Sequence, residues 1–203
     1  MYWTEVLGYP MPKPIGGHPA LDFCDTYAGW GGPALPGGEW LADYDRLVVW
    51  TVHSGLLPVE DSQPLRTLAE RRGAPAAREL DAVRRLRSAL YAVLLEPADT
   101  ASFAIVAGEA EQAAARAELV ADADGVAFWR IPSTVELDVP RLRVARAAAE
   151  LLCSPERALV RACPGEECGW LFLDRRGRRR WCSMATCGNR AKVRAFEERQ
   201  RRG

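Results

Sequence analysis

Apolar residues recur at helical spacing over most of the first 155 residues. In the stretch from 39 to 57, Tyr44, Leu47 and Val48 belong to a series of apolar residues three or four positions apart. This spacing places them on one face of an α-helix. The same pattern, with Gly, Pro and capping residues as end signals, predicts six helices, at residues 20–27, 39–57, 62–72, 76–95, 101–121 and 140–153.

The period changes from helical to alternating between residues 126 and 139. Val135, Leu137 and Val139 alternate with Glu136 and Asp138, a pattern typical of a strand with one buried face. Two strands, at 126–131 and 135–139, are therefore predicted around a turn at 132–134. Together with the helices they indicate an α+β fold, mostly α with a small β-hairpin.

Composition is that of a globular chain. With 48% hydrophobic residues among 203, long disorder is excluded. No apolar run reaches the roughly 18 residues of a membrane span, and residues 1–13 do not resemble a secretory signal. We therefore expect a cytoplasmic protein without a membrane partner.

Charge is divided unevenly along the chain. Its 27 basic and 27 acidic residues balance overall, but residues 160–203 carry 12 basic and only 5 acidic side chains. Such asymmetry is typical of a basic module that meets an anion. We expect two domains, a mostly helical one at 1–155 and a basic one at 160–203.

Four of the six cysteines lie in the basic module. Cys163 and Cys168 form one close pair, Cys182 and Cys187 form another, and thirteen residues separate the pairs. Two close pairs separated by a hairpin-sized gap are typical of a tetrahedral structural Zn²⁺ site. A module of some 44 residues needs a metal or disulfides to fold, and disulfides are disfavoured in the cytoplasm. One structural zinc is predicted; a disulfide pair or an iron–sulfur cluster are the alternatives.

The remaining two cysteines, Cys24 and Cys153, have no partner at ligand spacing. We expect each to be a small buried apolar side chain.

Residues between the cysteine pairs predict a β-hairpin. A strand at 170–173, a turn at 174–177 and a return strand at 178–181 would fill the gap, and a helix would run from Cys187 to about residue 201. Val193 and Phe196, three residues apart, are expected to pack on the hairpin. A knuckle that carries Cys163 and Cys168, then a hairpin, then a helix that starts at the second cysteine pair is the order found in a treble-clef-like finger.

The module resembles the CGNR zinc-finger family. The resemblance rests on Cys163…Cys168-Gly-Trp-Leu-Phe-Leu-Asp174, on Arg180-Trp-Cys-Ser-Met and on Cys187-Gly-Asn-Arg190. Upstream, Gly17-His-Pro-Ala-Leu-Asp-Phe23 is similar to the start of the ABATE domain that precedes this finger; Cys24-Asp25 stands where Val-Asn is usual. The resemblance implies a bacterial transcription regulator whose finger binds DNA.

Arginines dominate the basic residues of the finger. Guanidinium groups suit phosphate and the guanine edge of the major groove, so this set is the predicted DNA contact. The alternatives are docking on the acidic N-terminal domain and neutralisation of the zinc–thiolate charge. The candidate nucleic-acid-binding residues are Arg175, Arg176, Arg178, Arg179, Arg180, Arg190, Lys192 and Arg194.

A second polar cluster lies near the N-terminus. Polar groups at helical spacing beside an aromatic ring could line a pocket for a small-molecule effector; helix capping and packing contacts are the alternative. The residues are His18, Asp22, Asp25, Thr26 and Trp30.

The sequence contains no phosphate loop, nucleophile elbow, His-Glu-x-x-His or dinucleotide fingerprint. We therefore predict a regulator and not an enzyme. Its finger would bind DNA, and its N-terminal domain would sense an effector or assemble a homodimer. The alternative is a zinc-stapled module that contacts a protein partner such as the transcription machinery.

Overall fold

The computed structural model describes residues 3–30 and 35–202. Helices dominate this part of the chain and are connected by three short antiparallel strand pairs and by single turns of 3-10 helix. The helices are α1 (Pro19–Cys24), α2 (Tyr44–His53), α3 (Ser62–Arg71), α4 (Gly73–Leu95), α5 (Thr100–Arg116), α6 (Val139–Cys153) and α7 (Asn189–Arg202). The strands are β1 (Trp3–Val6), β2 (Tyr9–Pro12), β3 (Glu118–Ala121), β4 (Ala127–Arg130), β5 (Val160–Ala162) and β6 (Leu171–Leu173). The predicted class, mostly α with small β-hairpins, is confirmed.

The main core lies among the helices. α5 packs against α4 and α6, and the short α1 packs against both α4 and α6. Every residue of α1 from Ala20 to Cys24 is buried, and the Phe23 ring lies 5.5 Å from the Trp50 ring of α2. Burial of this apolar face accounts for α1, which is too short to be stable alone.

The helical periodicity located the helices well and their ends less well. α2 begins at Tyr44 because Asp43 caps it by accepting a hydrogen bond from the Arg46 N–H; the prediction began at residue 39. Gly73 was expected to end a helix, but it begins α4 directly after α3.

The predicted hairpin of strands 126–131 and 135–139 is wrong in its second strand. β4 instead pairs with β3, which lies in the segment predicted as the end of a helix. The turn between them has Asp122, whose Oδ1 accepts hydrogen bonds from the Asp124 and Val126 N–H groups, and Gly125 at φ +79°. Such Asp–Gly chemistry stabilises a local turn. The local turn therefore determines which strand pairs with β4. The alternating residues 135–139 form no strand and lead into the first turn of α6.

The N-terminal β1–β2 hairpin was not predicted from the sequence. It turns at Leu7 and Gly8, both in the left-handed region with φ of +48° and +83°.

The finger also pairs its strands differently from the prediction. β6 pairs antiparallel with β5, upstream of the first cysteine pair. Residues 178–181 form no strand. Asp174 explains this, because its Oδ1 accepts hydrogen bonds from the Arg178 and Arg179 N–H groups and so holds the turn closed.

Alternate residues of β6, together with Trp170 directly before it, belong to two different cores. Leu171 and Leu173 are buried in the core of the helices, whereas Trp170 and Phe172 pack with the four clustered cysteines. Successive side chains of a strand point to opposite faces, so one strand serves both cores. The finger is thereby built onto the helical domain.

Backbone hydrogen bonds reinforce this junction. The Leu171 N–H donates to Asp25 Oδ1 at 2.8 Å, and the Leu173 N–H donates to the Gly16 carbonyl at 2.8 Å. On the knuckle, the Gly169 carbonyl accepts from the Tyr91 hydroxyl at 2.8 Å.

Within the described residues, no helix is both long enough and apolar enough to cross a bilayer.

The close approach at Gly169 generates a prediction. Gly169 has φ +67°, and a Cβ there would lie 2.6 Å from the Trp30 Cβ and 2.8 Å from the Tyr91 Oη. Gly177 has φ +65° with nothing within 4 Å of its Cβ position, so it provides a matched control. We expect Gly177→Ala to lower the free energy of unfolding by about 1 kcal/mol through left-handed strain alone. Gly169→Ala should lower it by about 3 kcal/mol through strain and overlap together.

Urea unfolding of the two variants and of the unmodified chain measures both free energies. Equal losses at the two positions would contradict the tight junction between the knuckle and α4.

Candidate metal centre

The first cysteine pair lies on a tight knuckle between β5 and β6. The Cys163 N–H donates to the Trp170 carbonyl at 2.8 Å, and the Cys168 N–H donates to the Gly165 carbonyl at 3.1 Å. A Cβ on Gly165 would lie 3.1 Å from the Cys187 Sγ. Gly165 therefore lets the knuckle backbone approach the second cysteine pair, a requirement that is not evident from the sequence.

The second pair lies where the chain enters α7. Residues Met184–Gly188 form a single wide π-helical turn, and Asn189 follows as the first residue of α7. This turn brings Cys187 back toward Cys182. The second pair was predicted to lie at the start of a helix, and α7 begins two residues after Cys187.

The four thiols form one compact group. The Sγ atoms of Cys163, Cys168, Cys182 and Cys187 all lie within 4.8 Å of one another. Cys182 Sγ lies 3.6 Å from the Sγ atoms of both Cys168 and Cys187. A tetrahedral Zn²⁺ with Zn–S bonds of about 2.3 Å requires S···S separations of about 3.8 Å. The donor set therefore fits a single zinc ion.

The same distances decide between the alternatives. A disulfide would need sulfurs about 2.05 Å apart, and all six cysteines are free. A multinuclear iron–sulfur cluster places irons and sulfides between its thiolates and so needs a wider cage. All four ligands are 2–7% exposed, which suits a closed, structural site without an open coordination position.

Two arginine side chains lie beside the four clustered cysteines. Arg190 Nη2 lies 3.4 Å from the Cys187 Sγ, and Arg179 Nη2 donates to the Cys182 carbonyl at 2.6 Å. Four thiolates with one Zn²⁺ carry a net charge of about −2, so nearby guanidinium groups stabilise the loaded site.

The two remaining cysteines differ from each other. Cys24 is completely buried, as predicted, and Cys153 is exposed at the end of α6, so its predicted burial is wrong. The cysteine cluster contains neither of them.

Comparison with known families agrees with this geometry. Residues 160–200 match the model of the CGNR zinc finger. Residues 17–155, more than half of the chain, match the model of the ABATE family, described as "Putative stress-induced transcription regulator". The chain belongs to the ABATE family. In this ABATE protein the zinc finger carries one structural Zn²⁺ site. No curated protein matches the chain in sequence.

Three of the eight candidate DNA-binding residues, Arg175, Arg179 and Arg194, bind other groups of the protein. Arg179 donates to the Ile15 carbonyl at 2.7 Å and lies 4.4 Å from the Phe172 ring centroid. Arg175 pairs with Glu156 at 2.7 Å, and Arg194 pairs with Glu166. For Arg175 and Arg179 these contacts correspond to the docking alternative, because their partners lie in the helical domain or its linker.

Four of the other five candidates face solvent. Arg176, Arg178, Arg180 and Lys192 are exposed, and none of them forms an ion pair with another described residue. The Arg180 guanidinium lies 5.0 Å from the Trp181 ring centroid. We call these four residues the basic surface. Arg190, the eighth candidate, faces the zinc ligands.

Val193 and Phe196 do not pack on the finger as expected. They are 49% and 55% exposed on α7, because residues 178–181 form no strand for them to cover.

The polar residues of the N-terminal motif are engaged inside the fold. His18 caps α1 by accepting the Ala20 N–H at its Nδ1, and burial lowers the His18 pKa. Asp22 Oδ1 accepts the Gly16 N–H at 2.7 Å. Burial raises the Asp22 pKa from 3.8 to about 6, against the opposing effect of the Gly16 and Ile15 N–H groups.

The other three residues of the motif contact the finger or α4. Asp25 contacts the finger, and Thr26 and Trp30 contact α4. Burial raises the Asp25 pKa well above its ordinary range. Thr26 Oγ1 accepts from Arg87 Nη1 at 2.8 Å, and the Trp30 ring stacks on Tyr91 at 3.9 Å. These contacts favour the packing alternative over an effector pocket here. Arg87, a buried cation that also pairs with Glu39, had no distinguishing signal in its amphipathic helix.

The zinc assignment predicts the metal content of variants. Cys182→Ser should reduce bound zinc from about one ion per chain to near zero, because three thiolates no longer close the tetrahedron. The matched control is Cys153→Ser, the same chemical change at an exposed cysteine outside the cluster. Elemental analysis of the purified chains gives the stoichiometry. Zinc retained by Cys182→Ser, or lost from Cys153→Ser, would contradict the ligand set.

Asp22 predicts a pH dependence of stability. Its pKa is higher in the folded chain than the ordinary value of 3.8, so the folded state holds the proton more tightly. The stability from this group is present at low pH and is lost as the pH rises from about 4 through about 6. Asp22→Asn can still accept the Gly16 N–H but carries no charge.

The free energy of unfolding of Asp22→Asn, relative to the unmodified chain, should therefore rise by about 2 kcal/mol between about pH 4 and about pH 7. Urea unfolding at the two pH values measures this difference, in which zinc release in acid affects both chains alike. A pH-independent difference would show that the Asp22 pKa is not raised.

Proposed function

We propose that this ABATE protein binds duplex DNA through the basic surface of its zinc finger, as a regulator and not as an enzyme. The observation that carries the proposal is that Arg176, Arg178, Arg180 and Lys192 are exposed and lack ion-pair partners among the described residues. Exposed guanidinium and ammonium groups of this kind neutralise phosphates and release counterions. Such a role places the protein in the bacterial cytoplasm, where its DNA is.

The way in which the finger is attached supports this assignment. Docking on the helical domain uses β6, the knuckle and two arginines, Arg175 and Arg179. The basic surface is not needed for that contact. Asp174 also holds the turn that carries Arg176 and Arg178, which reduces the entropy lost when the arginines meet a ligand.

A second candidate function is contact with a protein partner. Val193 and Phe196 are about half exposed on α7, and Met184 is 57% exposed at the start of the same region. Exposed apolar side chains on an otherwise charged helix are typical of a partner surface. A component of the transcription machinery would suit a regulator.

The DNA proposal predicts a salt dependence. A labelled duplex of random sequence should bind the zinc-loaded full chain with a log K against log[salt] slope of about −3.6, from four contacts at about −0.9 each. Arg178→Gln or Arg180→Gln should make the slope less steep by about 0.9 and weaken all sequences alike. Arg85→Gln, a change at an exposed arginine on α4, should leave it unchanged. Fluorescence anisotropy between about 50 and about 200 mM salt measures the slopes.

The full chain is used because β6 shares its apolar residues with the helical core. If the zinc-loaded chain binds no DNA at about 50 mM salt, the DNA proposal is wrong. Val193→Ser with Phe196→Ser then tests the protein-partner surface.

A further inference from the structure

A cavity far along the chain from the N-terminal motif lies between β4 and α6. Its volume is about 220 Å³, and the turn after α2 closes one side with Gly55 and Leu56. Allowing about 30 Å³ for one water, it has room for a small organic molecule. Its lining combines the aromatic residues Phe128 and Trp129 with three arginines.

The three arginines give the cavity a cationic wall. Arg143 is 9% exposed, and its Nε is buried without a hydrogen-bond partner among the described residues. Its other nitrogens donate to the Leu56 and Ile131 carbonyls, at 2.7 and 3.0 Å. These bonds hold the guanidinium in place without neutralising it, since its only carboxylate neighbour in an ion pair within the described chain, Asp61, lies 4.0 Å away.

The other two arginines lie nearer the surface. Arg130 is 54% exposed on its side chain and only loosely paired with Glu118, at 3.9 Å. Arg146 pairs with Glu150 and donates to the Trp129 carbonyl. The carboxylate of Glu150 also lines the cavity, so the wall is cationic mainly at Arg130 and Arg143.

An apolar extension adjoins this wall. A second cavity of about 240 Å³, lined by alanines of α5 and α6, shares Trp129, Arg146 and Glu150 with the first. Apart from Arg146 and Glu150, its walls are apolar, and they include an indole surface that is more than half exposed. An occupant would therefore place an anionic group among the arginines and an apolar body against Trp129 and the alanines.

We propose that this paired cavity is a binding site for a small aromatic carboxylate. Guanidinium groups recognise a carboxylate through charge-assisted hydrogen bonds, and aromatic and aliphatic walls take the ring. The site lies on the helical domain and away from the finger. The inference rests on the proposed regulatory function, because it gives the effector of that function a chemical class and a position.

Binding is tested on the zinc-loaded full chain without DNA, with 4-fluorobenzoate and 2-naphthoate as probes. ¹⁹F NMR follows the first probe, and calorimetry follows both. Saturable binding with a dissociation constant below about 1 mM is expected for the carboxylates. The neutral 4-fluorobenzamide should bind at least 10-fold more weakly.

Arg130→Gln should weaken 4-fluorobenzoate binding at least 5-fold. Glu150→Gln removes the carboxylate that pairs with Arg146 in the cavity wall and should strengthen this binding about 2-fold. Arg78→Gln, a change at an exposed arginine of α4, is the matched control and should change nothing. All variants should retain one zinc and the unfolding midpoint of the unmodified chain, so a loss of binding is separable from a loss of fold. If neither carboxylate binds, if benzamide binds as well, or if the two cavity variants behave like the control, the proposal is overturned. Because no DNA is present, these outcomes are independent of the DNA test.

Discussion

The structure depends on a single three-residue strand that is buried on both sides. β6 places Leu171 and Leu173 in the helical core and Phe172 among the zinc-ligating cysteines. Neither core is complete without it: the finger is too small to bury its own apolar residues, and the helices need the two leucines to close the face beside α1. Zinc binding and the packing of the helical domain are therefore coupled through one segment of backbone.

Polar contacts at this junction make the coupling specific. Asp25 is completely buried, accepts the Leu171 N–H at one oxygen, and has no hydrogen-bond partner for the other among the described residues. Arg179 spans the Ile15 and Cys182 carbonyls. Buried groups of this kind contribute little net stability, but an alternative packing that left them unpaired would cost several kcal/mol. They favour one orientation of the finger on the helices.

Features encoded by local spacing could be predicted, and features that depend on distant partners could not. The zinc ligands could be predicted from their spacing, because the two residues of each pair must reach the same ion. They are Cys163, Cys168, Cys182 and Cys187. The strand at 170–173 was identifiable, but its pairing with β5 was not, since the deciding hydrogen bonds come from Asp174 and from the helical domain. For the same reason, sequence could not separate Arg179, which binds carbonyls, from Arg178, which faces solvent.

The shared strand also limits how such proteins can diversify. A finger that buried only its own residues could be exchanged between proteins as an independent cassette. Here a transplanted finger would remove two leucines from the core it left and would leave the Asp25 carboxylate without its donor. Substitutions on β6 must therefore be matched by substitutions on α1 or at Asp25. The helical domain and the finger are expected to coevolve.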